Sequence, residues 1–288
     1  MSKLAFIGGT GVYDPGILTD LHSEVIDTPY GKASYESGKF GKKEIIFLAR
    51  HGVHHTIPPH KINYRANIYA LKMLDVNAVV STTAVGSLNP DYKAGELVLV
   101  DQFIDMTKSR NGTFYDGEHY GVAHLDMTHP YCETLRQAII KAAQEEHITL
   151  HPHGTYICTE GPRFETPAEI KAYRQWGADV VGMTNLPECV LAREAEICYS
   201  TISMVTNFAA GISKTALSHK EVVDCMNHNL KASRRSLPSF PRPMIPMWTA
   251  NATMRPKISE DSICYERIKV PPMGKGGARP PGPDEASR

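Results

Sequence analysis

The 288-residue sequence carries no net charge, because its 31 basic and 31 acidic residues cancel. This balance argues against the long-range electrostatic field that attracts nucleic acids or anionic membranes. The sequence also lacks an apolar run long enough to span a membrane, and it has no signal-peptide pattern before Leu4. We therefore predict a cytoplasmic protein whose partners are small molecules, with no nucleic acid and no membrane among them.

Cysteine is scarce, and no cysteine has the CxxC spacing of a zinc or redox site. Several of the cysteines lie in apolar patterns typical of buried thiols. We therefore predict that the six cysteines are reduced and buried. They are Cys132, Cys158, Cys189, Cys198, Cys225 and Cys264.

A metal site is not predicted either. Four histidines lie within ten residues, but no coordinating cysteine or HExxH helix accompanies them. Pro58-Pro59 would also break any helical face that they share. The four histidines are His51, His54, His55 and His60.

Strand-like and helix-like segments alternate along the chain, which indicates an α/β domain with central strands buried on both faces. We assign this domain to residues 1–236. Half of the twenty prolines fall in residues 237–288, which we predict to be a Pro-rich, poorly ordered tail. The predicted strands are 4–8, 44–49, 78–81, 96–100, 154–158, 179–181 and 199–205, and the predicted helices are 64–74, 133–146, 167–176 and 187–197. Thr166 and Glu169 are predicted to form a capping box at the start of the third helix, and Asn185 and Glu188 offer the fourth helix a similar start.

Three of the predicted strands end at turns of glycine and hydroxyl residues. Glycine allows a tight turn and a close backbone approach to a ligand, and threonine adds a hydroxyl donor. One such turn is usually only a connection to a helix, but three at the carboxyl edge of a sheet predict an anion cradle. The turns contain Gly8-Gly9-Thr10-Gly11, Ser81-Thr82-Thr83-Ala84-Val85-Gly86 and Gly182-Met183-Thr184.

Other polar side chains are predicted at the same edge. Arg50 and His51 follow an apolar strand and suit phosphate, although a surface ion pair would also explain Arg50. Glu160 and Phe164 follow another strand, where they could bind a heterocycle or belong to a loop steadied by an Arg–Glu pair. Asn207 ends a buried strand, and its amide either donates and accepts toward a ligand or serves a structural turn.

Taken in order, these blocks resemble the trimeric purine nucleoside phosphorylases and methylthioadenosine phosphorylases from residue 3 to about residue 235. The resemblance implies the nucleoside phosphorylase fold, a mixed α/β sheet with a partly closed barrel flanked by helices, assembled as a homotrimer. It also implies phosphorolysis of a purine nucleoside to the free base and a pentose 1-phosphate in purine salvage. The blocks are Gly8-Gly9-Thr10-Gly11, Ala49-Arg50-His51-Gly52, Asn63-Tyr64-Arg65-Ala66-Asn67, Thr82-Thr83-Ala84-Val85-Gly86-Ser87, Phe114-Tyr115-Asp116-Gly117, Glu160-Gly161-Pro162-Arg163-Phe164 and Gly182-Met183-Thr184.

The resemblance also implies roles for individual residues. No cofactor or metal is expected, since inorganic phosphate is the co-substrate. Met183 would pack against the ribose, Glu160 and Phe164 would lie in the loop over the base, and His124 would serve a neighbouring subunit's site. Asn207 and Glu160 are the predicted catalytic residues. The predicted phosphate ligands are Thr10, Arg50, His51, Thr83, Ala84 and Thr184.

The segment after Val205 predicts which purine is bound. Asn207-Phe208-Ala209 is similar to the pattern of 6-oxopurine phosphorylases, whereas adenine-specific relatives have an Asp-Tyr-Asp type sequence. An amide avoids setting a carboxylate against the 6-oxo group. His219 matches a histidine that contacts the ribose 5′-hydroxyl, so inosine or guanosine is predicted to bind through Asn207, Ala209 and His219. The alternatives are a methylthioinosine or methylthioadenosine phosphorylase and a catalytically weak purine-binding or phosphate-binding protein.

Overall fold

The computed structural model describes residues 3–8, 18–52, 56–117 and 120–212. These ranges contain eleven strands and four α-helices. In chain order they are β1 (Lys3–Gly8), β2 (Thr19–Thr28), β3 (Gly31–Phe40), β4 (Lys43–Ala49), α1 (Tyr64–Met73), β5 (Val76–Ser87), β6 (Leu97–Leu99), β7 (Gln102–Met106), α2 (Glu133–Glu145), β8 (Leu150–His151), β9 (Thr155–Thr159), α3 (Pro167–Gln175), β10 (Val180–Gly182), α4 (Glu188–Glu194) and β11 (Cys198–Phe208). The predicted tail over 237–288 lies outside the described residues.

All eleven strands belong to one mixed sheet, as predicted. The main path is β2-β3-β4-β1-β5-β10-β9-β7, while β11 pairs with β5 and continues the sheet through β6 to β8. Strand β5 is therefore a branch point with three neighbours. The mixed sheet of the predicted fold is confirmed, and the described strands do not close it into a complete barrel.

Strand β5 is longer than predicted, and its second half is not a turn. β11 supplies a parallel partner from Ala78 to Ser87, which allows the strand to continue through its threonines and glycine. On the other side of β5, β1 pairs as far as Ser81 and β10 pairs with Gly86 and Ser87. Residues 82–85 lie in the gap between these two partners.

Helices cover both faces of the sheet because the side chains of its strands alternate between two apolar clusters. Leu4 and Phe6 of β1 pack with Leu135 and Ile139 of α2. The intervening β1 residues, Ala5 and Ile7, belong to the cluster that contains apolar residues of α1 and α4. None of the described helices has the length and apolar character needed to cross a membrane.

The helix starts were predicted with mixed success. A capping box begins α3 as expected, since Thr166 accepts from the Glu169 N–H and Glu169 accepts from the Thr166 N–H. The predicted capping of the fourth helix by Asn185 and Glu188 is wrong, because Pro187 is the N-cap and makes no side-chain cap. Asn185 and Glu188 instead form hydrogen bonds in the core.

The prediction of reduced cysteines is wrong for one pair. Cys132, just before α2, forms a disulfide with Cys198 at the start of β11. Cys158 and Cys189 are free thiols buried in the core, as predicted. Cys225 and Cys264 lie outside the described residues.

Candidate active site

The gap beside β5 defines the candidate site. Alternation along the strand buries Thr83, whose Oγ1 lies 2.9 Å from Ser203 Oγ. Thr82 and Ala84 lie on the opposite, more accessible face. No described strand pairs with residues 82–85 on the β1 side. The structure thus brings the predicted Thr83 and Ala84 to an opening within the sheet.

A β-bulge in β11 directs Asn207 to the face that Ala84 occupies. Met204 is opposite Ala84, but the register then skips one residue, so that Asn207 rather than Thr206 is opposite Gly86. Strict alternation would have turned Asn207 to the other face, and re-aiming a side chain is a common use of bulges. The Asn207 Nδ2 lies 3.3 Å from the position that a Cβ on Gly86 would occupy. Asn207 and Ala84 are therefore about two residues, or about 7 Å, apart along one face of β5.

Hydrogen bonds hold the Asn207 amide in one orientation. Its Oδ1 accepts from Thr206 Oγ1 at 2.7 Å, and its Nδ2 donates to the Phe208 carbonyl at 2.8 Å. An amide oxygen can accept a second hydrogen bond and an amide nitrogen can donate a second one. The next residue but one, Ala209, is buried, and its N–H donates to the Ser87 carbonyl at 2.8 Å. This arrangement can present a donor and an acceptor to the edge of a planar heterocycle.

Arg50 forms an ion pair, but the pair is buried rather than exposed. The side chains of Arg50 and Glu188 are each 1% exposed. Arg50 Nε and Nη2 donate to the two Glu188 carboxylate oxygens at 2.7 and 2.8 Å. Glu188 also accepts from Ser81 Oγ at 2.8 Å and from Tyr199 Oη at 2.7 Å. The carboxylate is thus surrounded by donors from β5, from β11 and from the residue that follows β4.

The same contacts determine which part of Arg50 faces the gap. Its forked edge is occupied by Glu188, whereas Nη1 donates to the Thr82 carbonyl at 3.1 Å, where the gap begins. Burial alone would lower the pKa of Arg50, but the Glu188 carboxylate outweighs this effect and raises the pKa above its ordinary value. Arg50 is therefore a permanent cation whose Nη1 side borders the gap.

His51 follows Arg50 at the end of β4, and Thr184 lies at the end of β10. The His51 Nδ1 donates to the Ile57 carbonyl at 2.8 Å, which sets the orientation of the ring. Thr184 follows β10 and is buried, and its N–H donates to Tyr156 Oη at 3.4 Å. A Cβ on Gly182 would lie only 2.1 Å from Tyr156 Oη, so glycine is required there by a close approach.

The loop predicted to lie over the base, residues 160–164, is called the base loop, and it packs on Met183. A Cβ on Gly161 would lie 2.6 Å from Met183 Sδ, and Gly161 has a φ of 67°. Both observations favour glycine at this position. Phe164 is 42% exposed at the far end of the loop. Arg163 forms a 2.7 Å ion pair with Glu169. This pair steadies the loop, as the alternative interpretation of the segment predicted.

His124 is exposed, while Thr10 and His219 lie outside the described residues. His54 and His55 do so as well, and the described residues contain no group of three or more His, Cys, Asp or Glu side chains that could hold a metal ion. Glu188 and Arg110, two buried residues that organise the site, were missed. The sequence pattern offered one indication of Arg110: it is an arginine in a long loop without helical or strand periodicity.

The buried Glu194 carboxyl should make the free energy of unfolding depend on pH. This buried carboxyl accepts from Thr113 Oγ1 at 2.6 Å and from the Phe114 N–H at 2.7 Å. Burial outweighs these hydrogen bonds and raises its pKa to about 7. The folded state therefore holds this proton more tightly than the unfolded state. The resulting stabilisation is complete below the unfolded pKa of about 4.5 and is lost as the pH rises through about 7.

We expect the Glu194→Gln variant to lack the pH-dependent stabilisation that the Glu194 carboxyl provides. The free energy of unfolding of the wild type, measured relative to that of the variant by urea titration, should fall by about 1 kcal/mol between about pH 6 and about pH 8. Glu145→Gln, an exposed change at the end of α2, is the control and should leave the pH dependence unaltered. A constant difference between wild type and Glu194→Gln would contradict the raised pKa.

The fold and the site define a class of protein. Within the described residues, strand ends around one branch-point strand surround an opening that combines a buried cation, a β5 backbone unpaired on its β1 side, and an oriented amide. Such an opening suits a ligand with an anionic part and a planar polar part. The sequence matches the Phosphorylase superfamily over residues 3–240, and the chain belongs to that family.

Named relatives are similar over most of the chain. The 6-oxopurine nucleoside phosphorylase of Pyrococcus furiosus is 54% identical, with 78% of this chain and 87% of the relative covered. The S-methyl-5′-thioadenosine phosphorylase of Thermofilum pendens is 49% identical, with 83% and 92% covered. Among solved structures, methylthioadenosine phosphorylase from Schistosoma mansoni, in complex with adenine, superimposes with a TM-score of 0.80 at 32% identity and covers 87% of this chain and 94% of its own.

Proposed function

We propose that this chain is a purine nucleoside phosphorylase, a transferase that cleaves inosine or guanosine with inorganic phosphate to give the free base and ribose 1-phosphate. The observation that carries the proposal is the shared face of β5. It places the Asn207 amide about 7 Å along the strand from Ala84. The name of the Pyrococcus furiosus relative supports a 6-oxopurine substrate.

Phosphate is proposed to bind in the gap. Arg50 would contribute its Nη1 side, and residues 83 and 84 would contribute their backbone. Thr10, His51 and Thr184 are the other proposed ligands. Held there, the phosphate could attack the anomeric carbon from the face opposite the departing base. Positioning of the two reactants and hydrogen bonds to the developing charges would supply most of the rate acceleration.

The purine is proposed to lie against Asn207. As the glycosidic bond breaks, negative charge develops on the base, and the Asn207 Nδ2 can donate to it while Oδ1 accepts from a ring N–H. Met183 and Phe164 would contact the ribose and the base, with Ala209 close to Asn207. His219 is proposed to bind the 5′-hydroxyl, and the exposed His124 to complete the site of a neighbouring subunit in a cytoplasmic homotrimer. We propose that the reaction needs no cofactor or metal and serves purine salvage.

The second candidate is phosphorolysis of a methylthio nucleoside. It is favoured by the names of the Thermofilum pendens and Schistosoma mansoni relatives. The two candidates differ at the 5′ position and at position 6 of the purine. A catalytically weak purine-binding or phosphate-binding protein is the third.

One assay separates these candidates. Base release should be measured on the full chain with inosine, guanosine, adenosine, methylthioinosine and methylthioadenosine, each with and without phosphate. We expect phosphate-dependent release of hypoxanthine from inosine. A preference for a methylthio substrate would support the second candidate, binding of hypoxanthine without turnover would support the third, and turnover that needs no phosphate would contradict the proposal.

Asn207 is the residue with which we propose to test base selection. Asn207→Asp places a carboxylate against the 6-oxo group and should lower kcat/KM for inosine by about 100-fold, with a smaller effect on adenosine. The measurement is kcat/KM for both nucleosides at saturating phosphate. Asn77→Asp makes the same chemical change at the start of β5, where Asn77 Oδ1 accepts from the Lys3 N–H, and it serves as the control. Unchanged selectivity in Asn207→Asp would remove Asn207 from base recognition.

A further inference from the structure

Glu160 is tied to a segment about fifty residues earlier in the chain. Its Oε2 accepts from the Lys108 N–H at 2.9 Å, and its Oε1 accepts from Ser109 Oγ at 2.7 Å. The Arg110 Nε lies 3.4 Å from Oε2. Both carboxylate oxygens are therefore engaged by three consecutive residues. We name this set of contacts the 108–110 latch.

Arg110 extends the latch into the core. Its side chain is 2% exposed. Nη2 donates to the carbonyls of Thr159 and Glu160 at 3.2 and 2.8 Å, while Nη1 donates to Tyr64 Oη at 3.1 Å and to the Leu186 carbonyl. One buried cation thus joins the end of β9, the start of α1 and the segment before α4. The Arg110 fork is suited to this role because its donors point in fixed directions.

The other end of the latch is the base loop. Gly161 follows Glu160 and is packed on Met183 so closely that a Cβ at Gly161 would lie 2.6 Å from Met183 Sδ. Glu160 is therefore adjacent in the chain to the residue that packs on Met183. Phe164 lies three residues further along the same loop. The Glu160 carboxylate at the start of this loop is directed toward residues 108–110.

We propose that Glu160 is a positioning residue and not the proton donor of the reaction: as an ionised carboxylate in the 108–110 latch, it fixes the base loop against Met183. The proposal rests on the proposed function. A proton donor needs a carboxyl that is protonated before the reaction and free to reach the substrate. Glu160 has neither property, since every donor around it favours the charged form. Partial burial alone would raise the pKa of Glu160, but the Lys108 N–H, Ser109 and Arg110 hold it below its usual range.

The kinetic test compares Glu160→Gln with Ser109→Ala. Both variants weaken the same latch, so each should raise KM for the nucleoside by about tenfold while KM for phosphate, kcat and the pH profile of kcat change little. The double variant should be no worse than the more affected single variant. Lys108→Ala is the control, because Lys108 contributes its backbone N–H to the latch, and it should behave as the wild type.

A fall of about 100-fold or more in kcat, with loss of one limb of the pH profile, in Glu160→Gln alone would identify an acid and overturn the proposal. An unchanged nucleoside KM in both variants would overturn it too.

A second readout does not depend on turnover. In the ligand-free protein, amide hydrogen exchange of peptides covering 107–111 and 160–165 should become faster in both Ser109→Ala and Glu160→Gln, and remain at the wild-type rate in Lys108→Ala. Unchanged exchange in both latch variants would contradict the latch itself. If exchange changes as expected but the wild type does not cleave inosine, the latch stands and the proposed function fails.

Discussion

Replacing Glu188 with glutamine should lower the free energy of unfolding by about 3 kcal/mol, because the variant leaves Arg50 buried without a counter-charge. The carboxylate takes two hydrogen bonds from the Arg50 guanidinium and one each from Ser81 and Tyr199. A glutamine amide offers one acceptor oxygen in place of two and directs an NH2 group at donors. Urea titration followed by circular dichroism measures the loss.

The same variant should also weaken the use of phosphate. With its forked edge no longer held by Glu188, Arg50 loses the orientation that keeps Nη1 beside Thr82. We expect KM for phosphate to rise by about tenfold or more, with a much smaller change in KM for the nucleoside. Equal changes in both KM values would show that the effect is a general loss of structure and not a loss at the phosphate side.

A double substitution separates stability from function. Arg50→Met combined with Glu188→Leu removes both charges, and well-packed apolar replacements of a buried ion pair are often neutral or stabilising. This variant should recover most of the free energy of unfolding lost in Glu188→Gln, while phosphate-dependent turnover remains low. If the double variant were as unstable as the single one, packing around these residues, and not the unpaired charge, would explain the loss.

Reduction of the disulfide between Cys132 and Cys198 should cost roughly 4 kcal/mol of unfolding free energy. The bond closes a long loop, since the two residues are 66 positions apart, and the chain-entropy relation gives roughly this value for a loop of that length. It also ties the start of α2 to β11, the strand that carries Asn207. Denaturant titrations with and without a reductant measure the difference.

The control for this prediction is a variant without the bond. Cys132→Ala combined with Cys198→Ala should match the reduced wild type, and reductant should have no effect on it. Burial raises the pKa of the Cys158 thiol to about 12 and raises that of the Cys189 thiol as well. Neither should react with thiol reagents in the folded protein. Titration curves of the wild type that coincide with and without reductant would contradict a stabilising disulfide.

Local patterns in the sequence predicted those parts of the fold that depend on neighbouring residues. The capping box at Thr166 and Glu169 is an example, since both halves lie within one helical turn. Strands β2 and β3 were missed because β2 is polar and mostly exposed, so its residues do not alternate in hydrophobicity. The hairpin is held by antiparallel pairing of β2 with β3 and of β3 with β4.

Contacts between distant residues could not be predicted in this way. Arg50 and Glu188 are 138 positions apart, and nothing near either residue indicates that they meet. Sequence patterns predicted a cation at a strand end, but they did not predict that the Nε and Nη2 groups of Arg50 are already paired with a carboxylate. The bulge at Thr206 is a similar case: Asn207 was predicted as a base ligand from its pattern, while its direction depends on the register of β11 against β5.

The close approach of Tyr156 to Gly182 affects how a mutational scan of this protein should be read. Every substitution at Gly182 should be as damaging as the loss of a substrate ligand, because an added carbon would overlap the tyrosine hydroxyl. Such intolerance would reflect the volume of a neighbouring side chain and would carry no information about chemistry. Pairing each Gly182 substitution with Tyr156→Leu tells the two apart: removal of the hydroxyl and of ring carbon Cζ, which would lie 2.1 and 2.7 Å from the added carbon, should rescue Gly182→Ala in part, a recovery that no ligand-binding role would explain.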